Sequence, residues 1–231
     1  MKKYRIISYM RVMACILVMR GHYLDVFDVP DFLRTGIITG AGPVVLFFVI
    51  SGFLAYDTLV RFEDNIKGYY LNRLKRLVPP YFIILIVAII FKVYSQGISV
   101  LSWKWFRYFL FINMLVPSRD FWQWSNLYGY WTMGCFPCFY LIAPFIYKKM
   151  KNLCSTLVLL IGSVGTMFIC KIFIPIIGDK IGGFDSLNEY ATLHPLCILY
   201  LFVLGMFVAY GYRHGYVEAV TCTLGFFCWE C

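Results

Sequence analysis

The chain has 231 residues, of which 61% are hydrophobic, 20% aromatic and only 14% charged. A soluble domain averages about 45–50% apolar and about 25% charged residues, so this composition excludes an ordinary water-soluble globular protein. The formal net charge of +9 does not call for a nucleic-acid partner, because basic residues gather in the cytoplasmic loops of membrane proteins and near anionic lipid.

Six apolar runs approach the roughly 20 residues that a spanning helix needs. They cover residues 4–23, 42–59, 78–94, 127–147, 153–175 and 193–212, and a seventh run at 106–117 is short. The sequence therefore predicts an all-α integral membrane protein, a bundle of about six to seven transmembrane helices. The first run has a basic start but no A-x-A-like cleavage site, so we read it as a retained helix with a cytoplasmic N-terminus.

Loop charges predict the orientation of the other helices. The loop at 60–77 carries five basic and two acidic residues, which favours the cytoplasm, as do the three lysines within 148–151 and Arg213. The acidic loops at 24–41 and 179–189 favour the exterior. These assignments agree only if 106–117 does not cross, or belongs to a broken or re-entrant pair. We expect a multi-pass protein of a bacterial inner or plasma membrane, with membrane lipid as a partner.

One membrane domain at 1–212 is predicted, followed by an atypical tail at 213–231 that is apolar and cysteine-rich. A truncated or frameshifted gene would end in this way. The nine cysteines are scattered through apolar segments, which favours packing over disulfide, redox or metal roles, including for the two CxxC matches at 135–138 and 228–231. No metal site is expected, and the sequence does not predict an oligomeric state.

Ionisable residues within the first apolar run indicate a candidate site. Arg11 and His22 are eleven positions apart, nearly three turns, so they share a helix face and lie about 16 Å apart along the axis. Such groups usually face a bundle interior or a watery cavity. Alternatively, Arg11 snorkels to the inner interface and His22 caps the outer end. Arg20 lies two and a half turns from Arg11 and is expected to face outward.

Two further patterns follow along the chain. Residues 47–53 read FFVISGF, and the Ser51–Gly52 step alone is typical of a packing notch between helices. Arg73 and Arg76 lie at i and i+3, which is predicted to set two phosphate-binding guanidinium groups side by side. Positive-inside anchoring is the alternative for that pair.

In their order and spacing, these segments resemble the membrane acyltransferase 3 family. The resemblance rests on a basic residue followed eleven positions later by histidine (Arg11, His22), on the Phe-Phe-x-x-Ser-Gly-Phe signature and on Arg-x-x-Arg followed by an aromatic residue after proline. Within these motifs, Phe48, Ser51, Gly52 and Phe53 are expected to have packing roles, and Tyr81 is the aromatic residue that follows proline. The family often carries a glutamate where this chain has Phe136, and family members are usually longer.

The resemblance implies transfer of an acyl group, commonly acetyl, from acyl-CoA to a hydroxyl of a carbohydrate or other envelope acceptor. It implies catalytic roles for His22 and Arg11, acyl-CoA binding by Arg73 and Arg76, and no bound cofactor. Asp25, expected in a loop, is a weaker candidate for orienting His22. Two alternatives stay open: a transporter or lipid-binding protein whose Arg11, Arg20 and His22 line a path, and an inactive fragment of the acyltransferase.

Overall fold

The computed structural model of the protein describes residues 5–26, 42–62, 65–115, 130–182 and 191–216. These parts of the chain form helices and turns and contain no strand. The helices are α1 (Arg5–Val26), α2 (Gly42–Arg61), α3 (Ile66–Gln96), α4 (Phe106–Phe109), α5 (Tyr130–Lys149), α6 (Leu153–Gly182) and α7 (Pro195–Arg213). Two short 3-10 turns, Ile98–Val100 and Trp103–Trp105, lie between α3 and α4.

The long helices coincide with the six predicted apolar runs. Four of them, α2, α3, α6 and α7, are long and apolar enough to cross a membrane. The helices α1 and α5 have 22 and 20 residues; α1 contains three arginines, and α5 ends with Lys148 and Lys149. Many apolar side chains of α3 and α6 are exposed, as expected of surfaces that face lipid. The chain is an all-α, multi-pass membrane protein.

The predicted cytoplasmic loop at 60–77 is mostly helix. The helix α3 begins at Ile66, where the Asn65 side chain accepts a hydrogen bond from the Gly68 amide at 2.7 Å. Its 31 residues are about 46 Å long at 1.5 Å per residue, against a hydrocarbon layer of about 30 Å. The loop prediction was wrong because a helix can continue beyond the apolar layer while its basic side chains remain in water.

After α3 the chain turns back along the same helix. Gly97 has a positive φ of +82°, a conformation that favours glycine, and its amide donates to the Val93 carbonyl at 2.9 Å. The returning segment, defined here as residues 97–115, packs Trp105 into a buried cluster with Tyr81 and Leu85 from the middle of α3. It contains only the four-residue helix α4. Residues 106–115 are thus not one continuous helix, and residues 116 and 117 lie outside the described ranges. That 106–117 is not a simple crossing stays a prediction.

The chain divides into two compact units, Met1–Asp57 with Leu201–Cys231, and Thr58–Tyr200. Both unit boundaries fall inside the continuous helices α2 and α7, so no change of composition marks them. The single membrane domain at 1–212 and the tail at 213–231 stay predictions.

Two glycines bring α2 and α7 together in the first unit. A Cβ atom added to Gly52 would overlap the Phe202 carbonyl oxygen, and one added to Gly205 would overlap the Val49 carbonyl oxygen. Each glycine therefore admits the backbone of the other helix, as small residues do between membrane helices. This is the arrangement that the packing interpretation of the Ser51–Gly52 step predicts. Phe48 and Ser51 are buried beside it, and the Phe53 ring lies 6.3 Å from that of Tyr212.

Candidate functional site

Among the described residues of the second unit, Arg73 is a buried arginine, with 6% of its surface exposed. Its Nη2 donates a hydrogen bond to the Thr58 hydroxyl at 2.6 Å. Thr58 belongs to the last turn of α2, and Arg73 belongs to the third turn of α3. The bond therefore ties the two helices together and orients the guanidinium group, since a charged hydrogen bond is stronger than a neutral one.

Aromatic rings hold the same guanidinium group from two helices. Its Cζ lies 5.6 Å from the ring centroid of Tyr69, one turn earlier in α3, and 5.1 Å from that of Tyr140 in α5. Both distances are within the range of a cation–π interaction, which gains strength away from water. Tyr70 adds a second link to α5 by donating to the Leu141 carbonyl at 3.0 Å. Arg73 is thus fixed where α2, α3 and α5 meet.

The predicted arginine pair is divided between two environments. Arg76 is exposed, as is Lys75, whereas Arg73 is buried. Residues at i and i+3 differ by about 60° around the helix, which suffices here to put one inside the packed face and the other outside it. The two arginines therefore differ in burial, and their joint binding of phosphate stays a prediction.

A cavity of about 320 Å³ lies against Arg73. Three parts of the chain line it: the first turns of α3, the end of the returning segment and the middle of α5. The lining residues are Tyr70, Arg73, Leu74, Leu77, Leu110, Phe111, Ile112, Leu115, Pro137, Cys138, Tyr140 and Leu141. Arg73 is the charged residue of this set. A mostly apolar cavity with one well-placed polar group is typical of a ligand site.

The returning segment forms one wall of the cavity, and side-chain hydrogen bonds to its backbone carbonyls hold this wall in place. The Tyr81 hydroxyl donates to the Tyr108 carbonyl at 2.7 Å, and the Trp105 indole donates to the Val100 carbonyl at 3.1 Å. Non-helical backbone at membrane depth is tolerated where such partners exist or where it lines a cavity. The structure therefore gives Tyr81, the aromatic residue of the motif, a structural contact with this wall.

Phe111, at the turn of this wall, has an unusual backbone conformation. Its φ is +58°, a left-handed value that bulky residues rarely adopt and that costs on the order of 1–3 kcal/mol. Its ring lies 4.3 Å from that of Tyr81, centroid to centroid. Packing against Tyr81 stabilises the conformation, and Phe111 in turn lines the cavity.

The position where the family often has glutamate adjoins this site. The Phe136 ring stacks on Tyr140 with centroids 6.1 Å apart, and Tyr140 lies against Arg73. The neighbouring thiols of Cys135 and Cys138 point to the Leu193 and Gly134 carbonyls, at 3.7 and 3.5 Å. These contacts agree with the packing interpretation of that CxxC match. The other match, at 228–231, lies outside the described residues.

The helix α1 carries the other predicted site residues. Arg11 is exposed and Arg20 is partly buried, and Ala14 is the buried residue among the described side chains of α1. Arg11 lies three positions before Ala14, about 60° around the helix. The expectation that Arg11 faces inward and Arg20 outward stays a prediction. His22 and Asp25 belong to α1, so Asp25 is not in a loop; their side chains lie outside the described part of the chain.

Sequence reasoning missed Thr58, Tyr69 and Tyr140. Tyr69 stands four positions before Arg73, a spacing that marks a helical neighbour, but only if the segment is read as helix. Thr58 and Tyr140 are 15 and 67 positions from Arg73 in the sequence, and no local pattern connects them.

Comparison with known proteins agrees with these observations. A family model described as "Acyltransferase domain", that of the acyltransferase 3 family, matches residues 4–219. The chain is similar to "Nodulation protein 10" of Rhizobium leguminosarum bv. viciae, with 24% identity over 205 residues. That alignment covers 79% of this chain and 55% of the relative, so the chain spans about half the length of that protein. No solved structure matches the chain. The protein belongs to the acyltransferase 3 family of membrane acyltransferases.

Proposed function

We propose that the protein transfers an acyl group from acyl-CoA, bound from the cytoplasm, to a hydroxyl group of a cell-envelope carbohydrate or related acceptor. Arg73 carries the proposal: it is a buried arginine in the wall of a ligand-sized cavity. Under the proposed orientation, the first turns of α3 lie at the cytoplasmic face of a bacterial inner membrane. Acyl-CoA is supplied on that face.

The basic side chains at this end of α3 suit the phosphates of CoA. Arg73 is oriented by Thr58 and Tyr140, and a guanidinium group fixed in advance loses little freedom when it binds phosphate. The exposed Arg76 and Lys75 are one turn further along. In this proposal both arginines bind phosphate oxygens of CoA, Arg76 from the exposed surface and Arg73 at the wall of the cavity that the acyl end of the donor enters.

The transfer itself needs a base and an activated acyl group. The acceptor oxygen attacks the thioester carbonyl, a proton leaves the hydroxyl, the carbon–sulfur bond breaks and CoA departs as its thiol. His22 is the proposed base for that proton, and Arg11 is proposed to stabilise negative charge at the thioester. The thioester already activates the acyl group, so no further cofactor is required.

Release of CoA thiol by the purified protein tests the proposal. The protein in lipid nanodiscs is given acyl-CoA with and without envelope polysaccharide, and free thiol is measured with a colorimetric reagent. We expect acceptor-dependent release that His22→Ala and Arg11→Ala abolish while Arg20→Leu retains most of it. Release that is the same in all four proteins would contradict the roles of His22 and Arg11. Absence of release from every acyl-CoA would contradict the function and favour a lipid-binding or transport role.

A further inference from the structure

We infer that the cavity beside Arg73 holds the hydrocarbon chain of the acyl donor, so that the protein uses a medium- or long-chain acyl-CoA in preference to acetyl-CoA. This inference rests on the proposed function and specifies its donor. It departs from the acetyl donor that the family resemblance implies.

The chemistry of the lining favours a chain of methylene groups. Apart from Arg73 and the two tyrosines, the lining is built from leucine, isoleucine, phenylalanine, proline and cysteine side chains. The volume of about 320 Å³ is at the lower end of small-molecule pockets, about 300–1,000 Å³. A two-carbon acetyl group would leave most of this apolar surface without contact, whereas a longer chain would cover it.

The charge at one side of the cavity favours an anionic head attached to that chain. Arg73 contributes to the wall, and Lys75, Arg76 and Lys67 are exposed on the same end of α3. An apolar tail with a phosphate-bearing head matches this combination, and fatty acyl-CoA and phospholipid both have it. We assign fatty acyl-CoA as the ligand of the cavity, because this chain belongs to a family of acyltransferases.

The cavity is also bounded by a wall that is held in place. The Tyr81 hydroxyl fixes the Tyr108 carbonyl, and the Phe111 ring packs on Tyr81 in a left-handed conformation. Ile112, the next residue, lines the cavity. A wall held by such contacts limits the length of chain that fits, so the protein should distinguish acyl chains by length.

A series of acyl-CoA donors from two to sixteen carbons tests the inference. The apparent KM is measured by thiol release from the protein in nanodiscs. Burial of one methylene group is worth about 0.8 kcal/mol, so we expect the KM to fall about fourfold per added methylene until the cavity is full. Ile112→Trp, which fills the cavity, should move the optimum to shorter chains. Ile98→Trp is the matched control, because Ile98 is 75% exposed in the same segment and does not line the cavity.

Photolabelling reports directly where the acyl chain binds. Its result depends neither on catalytic turnover nor on the folding of the Ile112→Trp protein. A fatty acyl-CoA with a diazirine at the chain end should label the peptides that hold Ile112 or Cys138, and octanoyl-CoA should compete. Thiol release that is equal for acetyl-CoA and longer donors, with no label in these peptides, would overturn the inference and leave the proposed function standing. Competition by phospholipid but not by octanoyl-CoA would also overturn it. Labelling displaced by octanoyl-CoA without thiol release from any donor would support the chain site and contradict the proposed function.

Discussion

Substitution of Gly52 by alanine should separate the helices α2 and α7. The new methyl group would overlap the Phe202 carbonyl oxygen, which belongs to the backbone and cannot move like the end of a flexible side chain. Gly205 makes the reciprocal approach to Val49. The two helices must therefore move apart along this contact, which exposes or loosens the buried Phe48 and Phe202.

The expected cost follows from two opposing effects. Overpacking costs about 1–3 kcal/mol, and we expect the upper part of that range because backbone is displaced. Alanine in a helix recovers about 0.5–1 kcal/mol relative to glycine. The net loss of about 2 kcal/mol corresponds to a fall in Tm of about 4–8 °C for a protein of this size.

Thermal denaturation in nanodiscs, followed with a dye that reacts with newly exposed thiols, measures this effect. Gly162→Ala in α6 is the matched control, because no atom lies within 4 Å of a Cβ at that position; its Tm should stay the same or rise. Gly52→Ala combined with Gly205→Ala should lose less than the sum of the single losses, since both open the same contact. Equal melting temperatures for Gly52→Ala and Gly162→Ala would refute the close helix approach.

Four other predictions concern the rest of the site and the membrane topology. Tyr81→Phe removes this donor from the Tyr108 carbonyl, which keeps its bond from the Phe111 amide at 3.1 Å, and should cost about 0.5–1.5 kcal/mol of stability. Tyr94→Phe, at an 89% exposed residue, should melt like the wild type, and no difference between the two proteins would contradict the structure of the returning segment. Arg76→Gln should raise the apparent KM for acyl-CoA about tenfold or more, with the Tm unchanged, as loss of a charged hydrogen bond costs about 1.5–3 kcal/mol. Arg73→Gln should lower both affinity and Tm, and a fall in Tm alone would favour a purely structural role. A topology reporter fused after Lys151 should indicate the cytoplasm, and one inserted within 183–189 should indicate the exterior. An external signal at Lys151 would instead favour a simple membrane crossing at 106–117.

The helical architecture follows from the sequence because lipid allows few choices. A run of apolar residues in a membrane must satisfy its backbone internally, so each long run forms a helix. All six predicted runs are helices in the structure. The loop charges agree with one another only if residues 106–117 do not cross alone, and the four-residue α4 and the turn at Gly97 are compatible with that prediction.

The candidate site was less predictable than the helices, because its side chains come from several helices and the sequence does not show which helices are in contact. The sequence identified Arg73, but its hydroxyl and aromatic partners come from α2 and α5 as well as α3. The extent of α3 was missed because its basic first turns look like a loop. Helical periodicity places Arg11 and His22 on a common face of α1 without fixing which face packs, so the orientation of α1 stays a prediction.

Transfer of a labelled acyl group in membranes tests the central proposal most directly. Inverted membrane vesicles that contain the protein receive acyl-CoA with radiolabel in the acyl chain, and the envelope carbohydrate is then isolated. The proposed function predicts label in the carbohydrate that mild alkali releases, as expected of an O-acyl ester, and its loss in vesicles that contain the His22→Ala protein at equal amount. Carbohydrate without label in the wild-type vesicles, or equal label with the His22→Ala protein, would contradict the account.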